Sequence, residues 1–446
     1  MKKHLTYLMG VALILIIGCN KNAPNDPNNP DTPLPPDKVK VLSEVDLPEL
    51  GASVPVIPNT QEEPISENDK DFVEGSNDFA YKMFAQQAEK YKGENLILSP
   101  LSWDYAIAMV AAGAAKDVWE ELTETMGWNG VKDPDISAYH KRLTRHLETS
   151  SSFQRVFTSN AMWIDDNRIQ QVNEEYPKIL KEYFGAVMSI LDLSQPEAIS
   201  HINNWVERKT YSKIKNLLSP SIASGNLSFI LTNALYFNSP WQSPFDQNNT
   251  VKENFTAADG TVQEVDMMRD QKVETFVDLP DVQILRLPTE GRGFFVDIIL
   301  PKDKNQPLTP EFLTKYAPHE VFKKYSRQLP VNVYLPKFNF TTELLTLIDK
   351  NKPELAAAIG LSKLIRPNAL VNIIDNPDLQ ISKIVQKCVV KWNEKGVEAA
   401  AATAVAVIDK APPVSGFEFR VDHPFFFTIT HAGSNKLMFV GQVNKI

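Results

Sequence analysis

Cysteine is almost absent from this chain of 446 residues, which holds only Cys19 and Cys388. One lies in the leader and the other deep in the chain, which argues against an intramolecular disulfide. Cys388 sits in V-Q-K-C-V-V-K-W, an apolar context that reads as core rather than as a reactive thiol. Dense basic runs are missing and the net charge is −9, so nucleic acid is disfavoured as a partner. No H-E-x-x-H, paired C-x-x-C, G-x-S-x-G or G-x-x-x-x-G-K occurs. The seven histidines (His4, His140, His146, His201, His319, His423 and His431) show no metal-ligand spacing. The sequence therefore offers no catalytic residue, no metal site and no cofactor site, and a hydrolytic enzyme is the least supported class. What is present is an ordinary globular balance, 43% hydrophobic and 23% charged. The length suits one large domain or two to three ordinary ones.

The N-terminus is a targeting segment. Lys2 and Lys3 precede an apolar core from Leu5 to Ile17 that is too short for an ordinary membrane-spanning helix. It ends in Ile16-Ile17-Gly18-Cys19, which resembles a bacterial lipobox. That resemblance implies removal of residues 1–18, lipidation of the Cys19 thiol, and a membrane partner reached through the lipid. The expected location is the cell envelope beyond the inner membrane, as an outer-membrane lipoprotein facing the periplasm or the surface. A plain secretory signal, the other reading, also takes the chain out of the cytoplasm. Residues 19–67 are rich in Pro, Asn and Asp, and read as a disordered tether.

From residue 68 to 446 the composition is that of one globular domain. Asn77 stands as a helix cap ahead of Phe79, Ala80, Met83, Phe84 and Ala88, which share one face. A short strand at Asn95–Leu98 leads to Ser99-Pro100, a cap followed by proline at the first helical position. The helix after it, Leu101–Ala115, is apolar nearly all round, so it lies buried with Ser99 and Ser102 at its start. Helices are expected at 118–126, 136–147, 173–184, 196–213 and 311–325. Strands are expected at 153–164, 227–237, 294–300, 331–335, 381–391, 417–421, 425–431 and 437–443. Asn233 is the polar exception in the apolar strand 227–237 and needs partners. Mixed elements without regular βαβ alternation give the class α+β.

One stretch stands apart, Glu394 to Pro413, reading E-K-G-V-E-A-A-A-A-T-A-V-A-V-I-D-K-A-P-P. Alanine favours a helix, but so short a segment is marginal as one. Read with period two, Val397, Ala399, Ala401, Thr403, Val405 and Val407 form a face without charge, and Glu398 falls on the other. That pattern suits a strand with a buried face. Its small residues also suit an exposed loop. A segment able to be both is a switch rather than a scaffold.

Four blocks together identify a family. They are N-L-I-L-S-P-L-S at 95–102, T-N-A-L-Y-F-N-S-P-W at 232–241, E-K-G-V-E-A-A-A-A-T at 394–403, and D-H-P-F-F-F-T-I-T-H at 422–431 followed by L-M-F-V-G-Q-V at 437–443. In this order they resemble the serpins from about Asn77 to Val443. The resemblance implies a serpin fold, with three β-sheets, about nine helices and an exposed reactive-centre loop at about 394–415. It implies a suicide inhibitor of serine proteases, with cysteine proteases as a further target class: a monomer whose cut loop inserts into the central sheet and traps the acyl-enzyme. By the same resemblance Gly396 is the hinge, with Val397, Ala399, Ala400, Ala401, Ala402 and Thr403 following it. Glu394 is expected near Trp241 at the breach, and Ser99, Ser102 and Asn233 beneath the sheet at the shutter.

Two positions depart from the family pattern. Val397 stands where Thr or Ser is usual, and Gln386 stands where a histidine often does, placed to bond Asn233. By the same resemblance, counting fourteen positions inclusive from Val397 to the family's usual cleavage point gives Lys410 and the bond Lys410–Ala411, which suits a trypsin-like pocket. The neighbouring Val407 and Ile408 suit elastase- or subtilisin-like enzymes. The alternative function is a substrate-like or non-inhibitory serpin acting as a binding protein.

Overall fold

A computed structural model of the chain describes residues 38–43, 45–53, 67–128, 131, 133–148, 155–166, 172–223, 227–342, 345–374, 376, 380–397 and 416–446. The expected signal peptide, Cys19, Ala399 to Ala402, Thr403, Lys410 and Ala411 lie outside the described residues.

The first described element is a strand, β1 (Lys40–Ser43), inside the expected tether 19–67. The tether reading therefore does not hold for the whole segment: Val39, Leu42, Val45 and Leu47 pack against the domain while residues 40–43 pair with a sheet edge. Helix α1 (Glu67–Ala88) starts ten residues before Asn77, which is thus no cap. The Asn77 side chain instead ties the helix to the C-terminal hairpin, donating to Asn435 O at 2.9 Å and accepting from Leu437 N at 3.0 Å. Strand β2 (Leu96–Leu98) runs into α2 (Pro100–Ala111), capped by Ser99 and buried at every position. Helices α3 (Lys116–Thr125) and α4 (Asp133–Glu148) follow, then β3 (Arg155–Asp165), α5 (Glu175–Phe184) and β4 (Val187–Leu191). Helix α6 (Pro196–Lys209) ends four residues before the expected 213, where Tyr211 and Ser212 take positive φ.

Strand β5 (Phe229–Pro240) is buried along almost its whole length, as its apolar run requires. Strands β6 (Val251–Thr256), β7 (Val262–Asp278), β8 (Val282–Pro288) and β9 (Phe294–Pro301) come next. The expected single helix at 311–325 is two, α7 (Pro310–Lys315) and α8 (Pro318–Tyr325). Pro318 lacks an N–H and opens a new helix rather than continuing the old one. Strands β10 (Arg327–Pro336), β11 (Phe338–Thr341) and β12 (Leu345–Asp349), helix α9 (Pro353–Ala358), and strands β13 (Lys383–Asn393), β14 (Gly396–Val397), β15 (Phe417–Arg420), β16 (Phe425–His431) and β17 (Leu437–Val443) complete the order.

Two hydrogen-bonded assemblies result. The first runs β1-β4-β3-β5-β14-β13-β11, with β12 also on β13. The second runs β15-β10-β7-β8-β9-β16-β17-β2, with β6 on β7. Helix α2 packs beneath the first sheet among its inward side chains, including Leu231, Leu235 and Phe237 of β5 with Ile384, Cys388 and Trp392 of β13. Helix α6 covers the opposite face with a second cluster around Trp163, Trp205, Ile230 and Val385. The centre of the first sheet is thus enclosed on both faces.

Candidate functional site

Strands β5 and β13 form the central seam of the first sheet. They pair in parallel from Lys383↔Ile230 to Cys388↔Leu235. Above that stretch they part, and β14 sits between them. Val397 pairs with Ser239 on one side and Trp392 on the other, and Gly396 pairs with Pro240 and Asn393. The reason glycine is required is the close approach of β5. A Cβ at 396 would stand 2.5 Å from both Pro240 Cα and Ser239 O. Val397 is buried at 1% exposure, so a β-branched apolar side chain fits where the family pattern has a hydroxyl.

The turn that delivers β14 is held by an ion pair. The Glu394 carboxylate accepts from Lys337 Nζ at 2.7 Å and from Thr250 Oγ1 at 2.8 Å. Burial pushes this carboxyl up, but the bonds from Lys337 and Thr250 outweigh it and hold its pKa below the usual glutamate value. The Glu394 carbonyl accepts from Phe245 N at 2.8 Å. Trp241 joins the same turn through neighbours of Glu394: its indole donates to Asn393 O at 2.8 Å and its backbone N–H to Lys395 O at 2.9 Å. Lys337 and Thr250 are members of this knot that sequence reasoning assigned no role. Nothing in their local context distinguishes them from surface residues.

Six positions below the hinge lies the polar layer. The hydroxyl of Ser99 caps α2 by accepting from Ser102 N at 3.2 Å. Gln386 clamps the same residue, accepting from Ser99 N at 2.9 Å and donating to Ser99 O at 2.7 Å. Gln386 and Asn233 are direct cross-strand partners, yet the expected bond between them is not formed. The Asn233 amide donates to Asn160 Oδ1 on β3 instead. The Gln386 amide is turned towards both backbone groups of Ser99. Asn160, a lone amide in the apolar strand reading V-F-T-S-N-A-M-W-I, is the shutter member that the sequence reading passed over. Asn233 Oδ1 and Ser102 Oγ are buried without a partner among the described residues.

Cys388 is buried at the seam and its thiol is pushed well above the ordinary range by burial, so it stays protonated and inert. Among the described residues, Asp165, Asp166 and Asp192 are close enough to share a cation. They lie at the far end of β3 and β4, and Asp192 is already taken up by Ser194 and Gln195. The arrangement at the seam is not that of a catalytic centre. It is a sheet opened by two residues at one end, with a polar hinge knot above and a polar layer below.

Comparison with known proteins agrees with this architecture. The family profile described as Serpin (serine protease inhibitor) matches residues 74–446. Iripin-3 of Ixodes ricinus is 31% identical over 393 residues, covering 85% of this chain and 96% of its own. The crystal structure of Serpin48, described as a highly specific serpin in the insect Tenebrio molitor, superposes with a TM-score of 0.72 at 29% identity, covering 85% of this chain and 100% of its own. Human thyroxine-binding globulin in complex with its ligand superposes with a TM-score of 0.73 at 21% identity, covering 85% of this chain and 99% of its own. With the profile spanning residues 74–446 and the opened seam in place, this chain belongs to the serpin family, whose members are in general inhibitors of proteases and not enzymes.

Proposed function

We propose that this protein is a suicide inhibitor of serine proteases that traps the acyl-enzyme by inserting its cut loop into the seam between β5 and β13. The observation that carries this reading is β14. Gly396 and Val397 already form a strand there, antiparallel to both neighbours, so the next residues need only continue the same ladder. In that register the uncharged face of the run, Val397, Ala399, Ala401 and Thr403, points to the α2 side. The favourable terms are new strand hydrogen bonds and burial, withheld in the native state by the closed seam.

The bait bond on this reading is Lys410–Ala411, for an enzyme with a trypsin-like pocket. Cys19 would carry the lipid that holds the domain at the cell envelope. The test is incubation of the protein with trypsin and with an elastase, read by denaturing gel and intact mass. A stable covalent complex and a released peptide that begins at Ala411 support both trapping and the bait bond.

A second reading, a serpin that is cut without trapping or acts by binding, is favoured by Val397 and by the unbonded Asn233–Gln386 pair. Thyroxine-binding globulin, among the structural neighbours, is a serpin-fold protein described with a bound small molecule. Cleavage at Lys410 without a complex would select this second reading.

A further inference from the structure

The family profile begins at residue 74, but residues 39–43 and 45–48 also lie on the domain. Strand β1 extends the first sheet at its β4 edge, with Lys40 opposite Ile190, Val41 opposite Ser189 and Ser43 opposite Met188. The Ser43 hydroxyl donates to Ala186 O at 3.2 Å and accepts from Met188 N at 2.7 Å. Val39 is buried in the cluster beneath α6, and Val45 and Leu47 pack against it. Arg208, in the last turn of α6, donates from Nε to Pro48 O at 2.8 Å. One strap thus joins the end of α6 to the edge of the sheet.

The cover over the seam is fastened on the other side too. Trp205 and Val206 of α6, and Leu217 beyond it, share a buried cluster with Ile230 and Ala234 of β5 and Val385 of β13. Lys387 of β13 donates to Lys215 O at 3.2 Å and to Asn216 O at 3.1 Å. Between the two fastenings Tyr211 and Ser212 hold φ of 51° and 60°, a region in which side chains other than glycine and asparagine are strained. A new strand between β5 and β13 moves them apart by about 4.8 Å. It also has to pass beneath this cover, so both fastenings cannot hold throughout.

We propose that residues 38–53 are a strap that holds α6 down on the β4 half of the sheet and so brakes the opening of the seam; this rests on the insertion reading above. Both ends of the strap lie on one half of the sheet, so its contacts are the same before and after insertion. It therefore acts on the rate and not on the difference between the end states.

The test uses the full-length protein and two separate variants, Arg208→Met, which keeps the aliphatic stem and removes the donors, and Ser43→Ala. Three quantities are read: amide exchange in α6, the rate of trapping of trypsin, and the rise in Tm on cleavage. The expected result is faster α6 exchange by about five-fold, the factor that one net hydrogen bond is worth. Trapping should quicken in step, with the rise in Tm unchanged. Unchanged α6 exchange and unchanged trapping in both variants would overturn the strap. If the unsubstituted protein gains no Tm on cleavage, the insertion reading falls instead. In that case α6 exchange still decides whether the strap fastens the helix: acceleration supports it and no change removes it.

Discussion

Asn233 and Gln386 face each other across the seam of the first sheet, and each side chain bonds away from the other. Asn233 reaches back to Asn160 on β3, and Gln386 reaches down to Ser99 at the start of α2. At this level the two halves of the sheet are therefore held together by backbone pairing. The polar side chains anchor each half to its own support. A strand arriving between them would not have to break a side-chain bond here, and it would find Asn233 Oδ1 without a partner.

Gln386→Ala should destabilise the native protein. It leaves Ser99 N–H unpaired beneath a buried helix start, at a cost of roughly 1–3 kcal/mol, and Ser99 C=O keeps only the longer bond from Trp103 N at 3.4 Å. The fall in the urea midpoint should correspond to about 1–3 kcal/mol. A shift no larger than that of an exposed glutamine substitution would mean that the clamp on Ser99 carries no stability.

Lys337→Met should destabilise the hinge in a way that depends on pH. The folded Glu394 carboxyl has a depressed pKa, so its contribution is complete above the ordinary glutamate value and is lost as pH falls through the folded value. The difference in stability between Lys337→Met and the unsubstituted protein should therefore be largest near neutrality and shrink below about pH 4.5. Chemical denaturation at pH 7 and pH 4 measures it. A difference that stays constant with pH would detach Lys337 from the Glu394 charge.

Acid should weaken the native state well above the carboxylate range. Burial lowers His140 to about 3 and His431 to about 4. His140 uses its Nδ1 on Ile136 O at 2.8 Å, and His431 uses its Nδ1 on Ser434 Oγ at 2.8 Å. Both are neutral when folded and charge at about 6.5 when unfolded. The unfolded chain thus binds more protons, and stability is lost as pH falls from about 6.5 towards 4, by at most about 3 kcal/mol per unit for two groups. His140→Phe should flatten part of that slope, and an unchanged slope would exclude His140 as a source.

How much of this was legible beforehand depends on the range of the interaction. The cap Ser99-Pro100, the buried helix behind it and the strand 229–240 follow from adjacent residues, and the structure has them within a few positions. The charge-free face of the switch run was readable from its period alone. Asn77 was misread because an amide ahead of an apolar helix face looks like a cap, whereas its partners are Asn435 and Leu437, far along the chain. Lys337, Thr250 and Asn160 were missed for the same reason: each acts through a partner more than fifty residues away. Residues 38–53 were read as tether on composition, because their scattered apolar residues, next to a Pro- and Asn-rich stretch, carry no period. Their strand exists only because β4 offers an edge.

Ala401→Glu should separate cutting from trapping. Val397 pairs with Ser239 and Trp392, so four residues on, Ala401 would fall between Leu235 and Cys388. Those residues are buried at 2% and 1% exposure on the α2 side of the sheet. An unpaired carboxylate there costs several kcal/mol. Trypsin should still cut the loop, but without a covalent complex and without a rise in Tm. Efficient trapping by this variant would refute the register.

Arg420→Met should let the intact loop behave more like a cut one. The loop leaves the first sheet at Val397 and joins the second at Phe417, on the short edge strand β15, which pairs with β10 alone. An uncut chain fixed at both ends cannot lay its full length into the first sheet unless β15 leaves β10. Besides its ladder to β10 and the buried Phe419, β15 is held by a row of three side chains in register. Arg420 lies over the Tyr334 ring at 3.6 Å, with Arg269 on the next strand beyond. Both arginines bond the Glu253 carboxylate, Arg269 Nε at 2.7 Å and an Arg420 guanidinium nitrogen at 2.6 Å. Losing the cation–π contact and one charged bond amounts to roughly 1–2 kcal/mol at a partly exposed edge. Amide exchange at residues 417–420 should rise about ten-fold, the factor for 1.4 kcal/mol. On warming, the uncut variant should convert to a heat-resistant form sooner than the unsubstituted protein. Cleavage frees the loop from β15 in either case, so trapping of trypsin should be unaffected. Faster exchange without faster conversion would mean that β15 can open while the seam remains the barrier, and the control would then lie with the shutter and the cover above it.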